Sequence, residues 1–145
     1  MTAYISISFN KRKLLHKEVA AIIEALADFK ISPFIFVDNY KFDLLQERQM
    51  MQQAMSDIDN CDILIAETSD KGIGIGVEVG YGKAKGKPVV YVRHKDAEHS
   101  TTVSGISDFQ IVYRDTNDLQ EQLVHTLKGI MSWDTPRFQK KTRSR

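Results

Sequence analysis

Two periods of apolar and polar positions alternate along the chain. Residues 3–9 (AYISISF) are short and rich in β-formers, which suits a first strand. Over 11–29, Leu14, Leu15, Val19, Ile22, Ile23 and Leu26 recur at helical spacing with Lys and Glu between them. Ser32-Pro33 marks a turn, and 34–37 (FIFV) is a compact second strand. Leu45, Met51, Met55 and Ile58 predict a second helix over 44–58, with its methionines as core fillers. Residues 62–66 (DILIA) form the continuous apolar run expected of a central parallel strand covered on both faces. Residues 67–76 read as a loop with glycines at 72, 74 and 76, and a helix follows to Lys85. Residues 88–92 (PVVYV) and 109–113 (FQIVY) are two further strands. Leu119, Leu123, Leu127 and Ile130 phase a closing helix over 117–131.

The order β-α-β-α-β-α-β-β-α predicts one α/β domain over 1–134, Rossmann-like (flavodoxin-like), with a mainly parallel five-stranded sheet flanked by helices. In such sheets ligands sit outside the carboxyl ends of the strands, where the strand order reverses. The loops after Phe9, Val37 and Ala66, and the one before Phe109, are therefore the places to look for a site.

Composition excludes several classes. With 42% hydrophobic and 27% charged residues the chain is neither disordered nor fibrous. No apolar run approaches the roughly 18 residues of a membrane span. The N-terminus enters strand alternation directly, without the apolar core of a secretory signal. The single cysteine, Cys61, excludes an intrachain disulfide framework and suits the cytoplasm. The net charge of +1 hides a basic terminus: removing Arg137, Lys140, Lys141, Arg143 and Arg145 takes the balance to −4. The body is thus mildly acidic, and nucleic acid is not an expected partner. The 135–145 tail is expected to be a disordered, solvated terminus, with contact to an anionic surface as its alternative. Trp133 is expected to pack the end of the last helix.

Chemistry concentrates at the glycines. Alternate glycines let a backbone approach a ligand closely, and a helix starting after them aims free N–H groups at it. The spacing is not that of the dinucleotide fingerprint, and tight strand-to-helix packing is an equal explanation. Glu78, flanked by Val77 and Val79 and followed by Gly80, is expected in the first helical turn, where its charged form is favoured. An ionised carboxylate at the mouth of a glycine-lined pocket is what nucleophilic attack on an anomeric carbon requires. An ordinary first-turn glutamate is the plain alternative. His16, His94, His99 and His125 show no metal-ligand spacing, Cys61 reads as inert packing, and neither metal nor cofactor is expected.

Three segments together carry a resemblance: Asp62-Ile-Leu-Ile-Ala-Glu-Thr, Gly74-Ile-Gly-Val-Glu78-Val-Gly80-Tyr81, and Gly86-Lys-Pro-Val-Val. From Tyr4 to Tyr113 the chain resembles the nucleoside 2-deoxyribosyltransferases and the related nucleotide N-glycoside hydrolases. The resemblance implies that Glu78 attacks C1′ of a nucleoside sugar, expels the base and forms a covalent glycosyl-enzyme, and that Tyr4 orients its carboxylate. Ser8 matches a serine that helps hold a 5′-phosphate in the hydrolase branch, and Gly74 and Gly76 are expected within backbone reach of phosphate or sugar. Ser100 matches a residue that enters the neighbouring subunit's site, which implies at least a homodimer and leans toward a nucleotide monophosphate.

Two positions depart from the family. Asn10 stands where the hydrolases have an arginine, with Lys11 or Arg12 as possible substitutes. Ala54 stands where the family has an aspartate that helps protonate the leaving base, and an alanine has no proton to give. Asp57, one turn along the same helix face, and Asp38, after the second strand, are the replacements on offer; helix-cap or turn roles are their alternatives. The leading expectation is therefore N-glycosidic cleavage of a (deoxy)nucleoside 5′-monophosphate or nucleoside, with water or a second base as acceptor. A nucleotide-binding module without catalysis is a second expectation, and an NAD-type glycohydrolase a third.

Overall fold

Parallel strands cannot be joined by tight hairpins, so each pair needs a crossover, and this chain supplies one every time. The computed structural model describes residues 1–132; Trp133 and the 135–145 tail lie outside the described residues. Strands β1 (Thr2–Ile7), β2 (Ser32–Ile35), β3 (Ile63–Glu67), β4 (Val89–His94) and β5 (Phe109–Tyr113) form one sheet in the order β2-β1-β3-β4-β5. Every neighbouring pair is parallel. Helices α1 (His16–Ala27), α2 (Phe36–Asn39), α3 (Glu47–Asp59), α4 (Ile73–Ala84), α5 (Thr101–Ile106) and α6 (Thr116–Ser132) connect and follow them.

Side-chain alternation divides the core between two sheet faces. On one face Ile5, Ile63, Ile65, Val90 and Ile111 pack against Ile22 and Leu26 of α1 and Leu119, Leu123 and Leu127 of α6. On the other, Tyr4, Leu64, Ala66 and Tyr91 pack against Ile58 of α3, Ile75 and Val79 of α4, and Val103 of α5. The chain runs outward from β1 to β2, then returns past β1 to β3. The strand order therefore reverses between β1 and β3, and the crevice at their carboxyl ends is the predicted ligand position.

The structure departs from the expected elements at several boundaries. Strand β1 stops at Ile7, where its pairing with β3 ends opposite Glu67. Phe9 falls in a single 3₁₀ turn (Phe9–Lys11) and is 74% exposed. The Ser32-Pro33 pair lies inside β2 rather than before it, which proline tolerates because β2 is an edge strand. Phe36 and Val37 turn into α2 instead of extending the strand. The connection between β4 and β5 contains α5, which the sequence pattern did not reveal because it is six residues long.

The largest difference concerns the glycine run. Helix α4 begins at Ile73 with Gly72 as its N-cap, so Gly74 and Gly76 are helical rather than loop residues. Only Gly86 (φ +74°) needs glycine's left-handed freedom. It closes α4 through Gly86 N–H to Lys83 O and Lys87 N–H to Gly82 O, each 3.0 Å, the paired bonds of a Schellman cap.

Candidate active site

Glu78 sits in the second turn of α4, six residues into the helix, and the first turn contains no acidic residue. The helix-dipole argument for its charge therefore does not apply, because that effect fades beyond the first turn. Its environment comes from β1 instead. Successive strand residues point to opposite faces, so Tyr4 and Ser6 project together toward α4. Both are buried, at 0% and 1% exposure. Their hydroxyl oxygens are closed to solvent and have no partner at full hydrogen-bond geometry. Burial pushes the Glu78 carboxyl above the ordinary glutamate range, and the Ser6 and Tyr4 hydroxyls beside it pull it partly back. Burial and then the Glu78 charge push the Tyr4 phenol well above its ordinary value. Tyr4 thus stands as a neutral donor facing a carboxyl.

Space beside the carboxyl is supplied by the glycines. A Cβ at Gly74, Gly76 or Gly80 would meet nothing within 4 Å. Gly76 N–H is already engaged with Gly72 O at 3.4 Å, whereas Gly74 lies in the first turn, whose amides have no intrahelical acceptors. Gly82 is different: a Cβ there would come within 2.8 Å of Leu64 Cδ1, so its role is close packing of α4 on β3.

Asp57, on α3, faces the same side of the sheet, since its charge acts on both Tyr4 and Cys61. Its Oδ1 accepts from Gln53 Nε2 at 3.0 Å and from Tyr40 Oη at 3.4 Å. Its Oδ2 is buried without a partner. Ala54, one turn earlier, is 2% exposed and packed. Burial pushes the Cys61 thiol up to about 11, which keeps it inert near neutral pH.

Ser8 precedes the 3₁₀ turn after β1, and Asn10 lies exposed within it. Asn10 lines an open cavity of about 660 Å³ with Arg12, Lys13, His16, Val37 and Asp38. There Arg12 clasps Asp38 with two hydrogen bonds, Nε to Oδ1 at 2.9 Å and Nη2 to Oδ2 at 2.7 Å. Both Asp38 oxygens are thereby occupied, and the Arg12 charge is spent on a partner in this chain. Ser100 caps α5, its Oγ accepting from Val103 N–H at 3.3 Å. A second cavity of about 380 Å³ separates Ser100 from Lys71, Gly72 and Gly76 of the same chain.

Sequence reasoning passed over two groups. Ser6 carried a detectable signal, because it lies two residues after Tyr4 and so shares its face. The aromatic cluster of Phe36, Tyr40 and Phe42, with ring centroids 5.0 to 6.0 Å apart, sits beyond the β2 end. Phe34 links it to Tyr4 by a 5.8 Å stack. Its residues are adjacent only once the chain has turned through α2. Among the described residues no group of three His, Cys, Asp or Glu could hold a metal ion, and no helix is long and apolar enough to cross a membrane.

The family model described as nucleoside 2-deoxyribosyltransferase matches residues 6–132. The chain belongs to that family. Its relatives carry the names of deoxyribosyltransferases and N-hydrolases. Over 87 residues it is 30% identical to a Thermofilum pendens protein provisionally named 2′-deoxynucleoside 5′-phosphate N-hydrolase 1, a match covering 57% of this chain and 61% of that protein. Two solved structures share the fold. The Clostridium botulinum CMP N-glycosidase BcmB superposes with a TM-score of 0.63 at 17% identity, over 85% of this chain and 98% of the other. The 2-deoxyribosyltransferase of Bacillus psychrosaccharolyticus gives 0.64 at 19% identity, over 85% and 96%. In this chain Tyr4 stands beside Glu78, and Asp57 lies one turn beyond Ala54 on α3.

Proposed function

We propose that this protein cleaves the N-glycosidic bond of a (deoxy)nucleoside 5′-monophosphate or (deoxy)nucleoside by double displacement at Glu78. The observation that supports this best is a glutamate raised in pKa by burial yet faced by two hydroxyl donors at the β1–β3 reversal. A Glu78 oxygen attacks C1′, and the base leaves with the bonding electron pair and takes a proton. Water then attacks C1′, the glycosyl ester breaks, and Glu78 is regenerated as carboxylate while the water proton restores the one that Asp57 gave up. Tyr4 holds the carboxylate. Asp57 supplies the leaving-group proton, a role suited to its unpartnered buried oxygen. Phe36, Tyr40 and Phe42 offer aromatic faces to a base, with Asp38 at their margin. Ser8, Asn10 and Ser100 hold the sugar or its phosphate, and the glycines at 74 and 76 leave room for it. The functional unit we propose is a cytoplasmic homodimer in which Ser100 approaches the neighbouring site.

A second reading is a nucleotide-binding module with impaired catalysis. The packed Ala54 favours it, since that position has no proton to give. One experiment separates the two. Purified protein is incubated with each nucleoside and nucleoside monophosphate, and free base is followed by chromatography alongside calorimetric binding. We expect base release that Glu78→Ala lowers by at least about a thousandfold, and a 2-fluorinated sugar that adds its mass to the Glu78 peptide. Binding without release supports the module, and release that survives Glu78→Ala overturns the nucleophile assignment.

A further inference from the structure

A buried hydroxyl without an acceptor is costly, about 1–3 kcal/mol, so native structures rarely retain one without a reason. On β1 there are two, Tyr4 Oη and Ser6 Oγ, separated by one residue that points to the opposite face. The parallel register sets Ser6 opposite Ala66, the smallest side chain on that face of β3, the face on which α4 packs. The acidic group that α4 presents there is Glu78. Asp57 of α3 and Cys61, just before β3, face Tyr4 in turn, so Ser6 and Tyr4 are the groups that meet Glu78 directly.

We propose that Ser6 is a positioning residue for Glu78: its hydroxyl donates to the carboxylate beside Tyr4, so that the nucleophile is held from two points of one rigid strand. This deepens the reading of Glu78 as nucleophile and rests on it for its catalytic meaning. Its structural content stands separately, because two donors on one carboxyl restrict rotation about the last side-chain bonds. Ser6 also favours the charged form that burial opposes. It touches neither base nor sugar in this assignment and works entirely through Glu78.

The test is a titration of Glu78 by carbon-13 NMR of glutamate-labelled protein, its signal identified by loss in Glu78→Gln. Ser6→Ala is expected to raise the Glu78 midpoint by about one to two pH units, the effect of losing one hydrogen bond to a charged group. Ser6→Cys, of similar shape but a weak donor, should fall between wild type and Ser6→Ala. Should Ser6→Ala fail to fold, the cysteine variant carries the test. In the activity assay the same variants should lower kcat about tenfold or more with KM little changed, and move the acid limb of the pH profile upward. A Glu78 midpoint unmoved by both Ser6 variants but moved by Tyr4→Phe overturns the proposal and leaves the nucleophile intact. A moved midpoint in a protein that releases no base supports Ser6 positioning and rejects the glycosidase reading instead.

Discussion

Tyr113 Oη donates to Glu67 Oε2 at 2.8 Å in the interior of the protein, on the sheet face opposite Glu78. Ser69 N–H donates to the other oxygen, Oε1, at 2.6 Å, and the Glu18 carboxyl, whose Oε2 is buried without a partner, acts on Glu67 from nearby. His94 packs edge-on against Tyr113, 5.4 Å between ring centres. Burial pushes the Glu67 carboxyl above its ordinary range, and the Ser69 and Tyr113 hydrogen bonds offset only part of this.

A stability consequence follows with a definite sign. Because the folded pKa is raised, the Glu67 contribution is fully present below the unfolded value near 4.5 and is lost as pH rises through the folded value. Glu67→Gln cannot ionise. Its stability relative to wild type should therefore improve between about pH 4 and pH 7, as read by urea unfolding at both. A pH-independent difference would contradict the burial argument.

The Arg12–Asp38 clasp joins the turn after β1 to α2 across the 660 Å³ cavity. Its side chains are 20% and 39% exposed, so solvent screens much of the attraction. Asp38→Ala should cost no more than about 1 kcal/mol. In addition, it should release a guanidinium into the cavity beside Asn10. The expected outcome is a melting temperature less sensitive to salt than that of wild type, together with a KM that falls for monophosphates but not for nucleosides.

Ser100 has two separable roles. Its cap on Val103 N–H makes Ser100→Ala cost about 1 kcal/mol in thermal unfolding. In the proposed reaction the same change raises KM for a nucleoside monophosphate and leaves the nucleoside unaffected. Ser100→Asp keeps a capping oxygen but repels phosphate. It should retain stability while losing the monophosphate, and equal loss on both substrates would refute the phosphate assignment.

Two helical glycines should respond in opposite directions to the same substitution. A methyl added at Gly129, on α6, would meet nothing within 4 Å, and Gly129→Ala should stabilise by about 0.5–1 kcal/mol. At Gly82 the added methyl would meet Leu64 Cδ1 at 2.8 Å inside the core, so overpacking of about 1–3 kcal/mol outweighs the helix gain. Chemical unfolding of the two variants measures the difference directly.

Much of this was legible from residue order. The run Ile63, Leu64, Ile65 and Ala66, buried on both sides, appears in the sequence as an unbroken apolar stretch, and α1 and α6 as stripes at helical period. The start of α4 was not legible. Glycine propensity argued for a loop over 67–76, yet Ile75 and Val79 are buried against the sheet, and that packing carries the helix back through Gly74 to Ile73. Asp38 was legible as an acid near the strand ends, but its capture by Arg12, 26 positions earlier, was not.

By itself, then, the order of residues determined the α/β class, the parallel sheet and the family. Each of these depends on short-range patterns and local spacing. Only the tertiary structure decided that Glu78 lies beyond the helix dipole's reach, that Ser6 and Tyr4 face it from one strand, and that Asp57 keeps an oxygen free. Those relations depend on burial and on contacts between segments tens of residues apart, where desolvation and the pairing of each donor outweigh any preference a local stretch expresses.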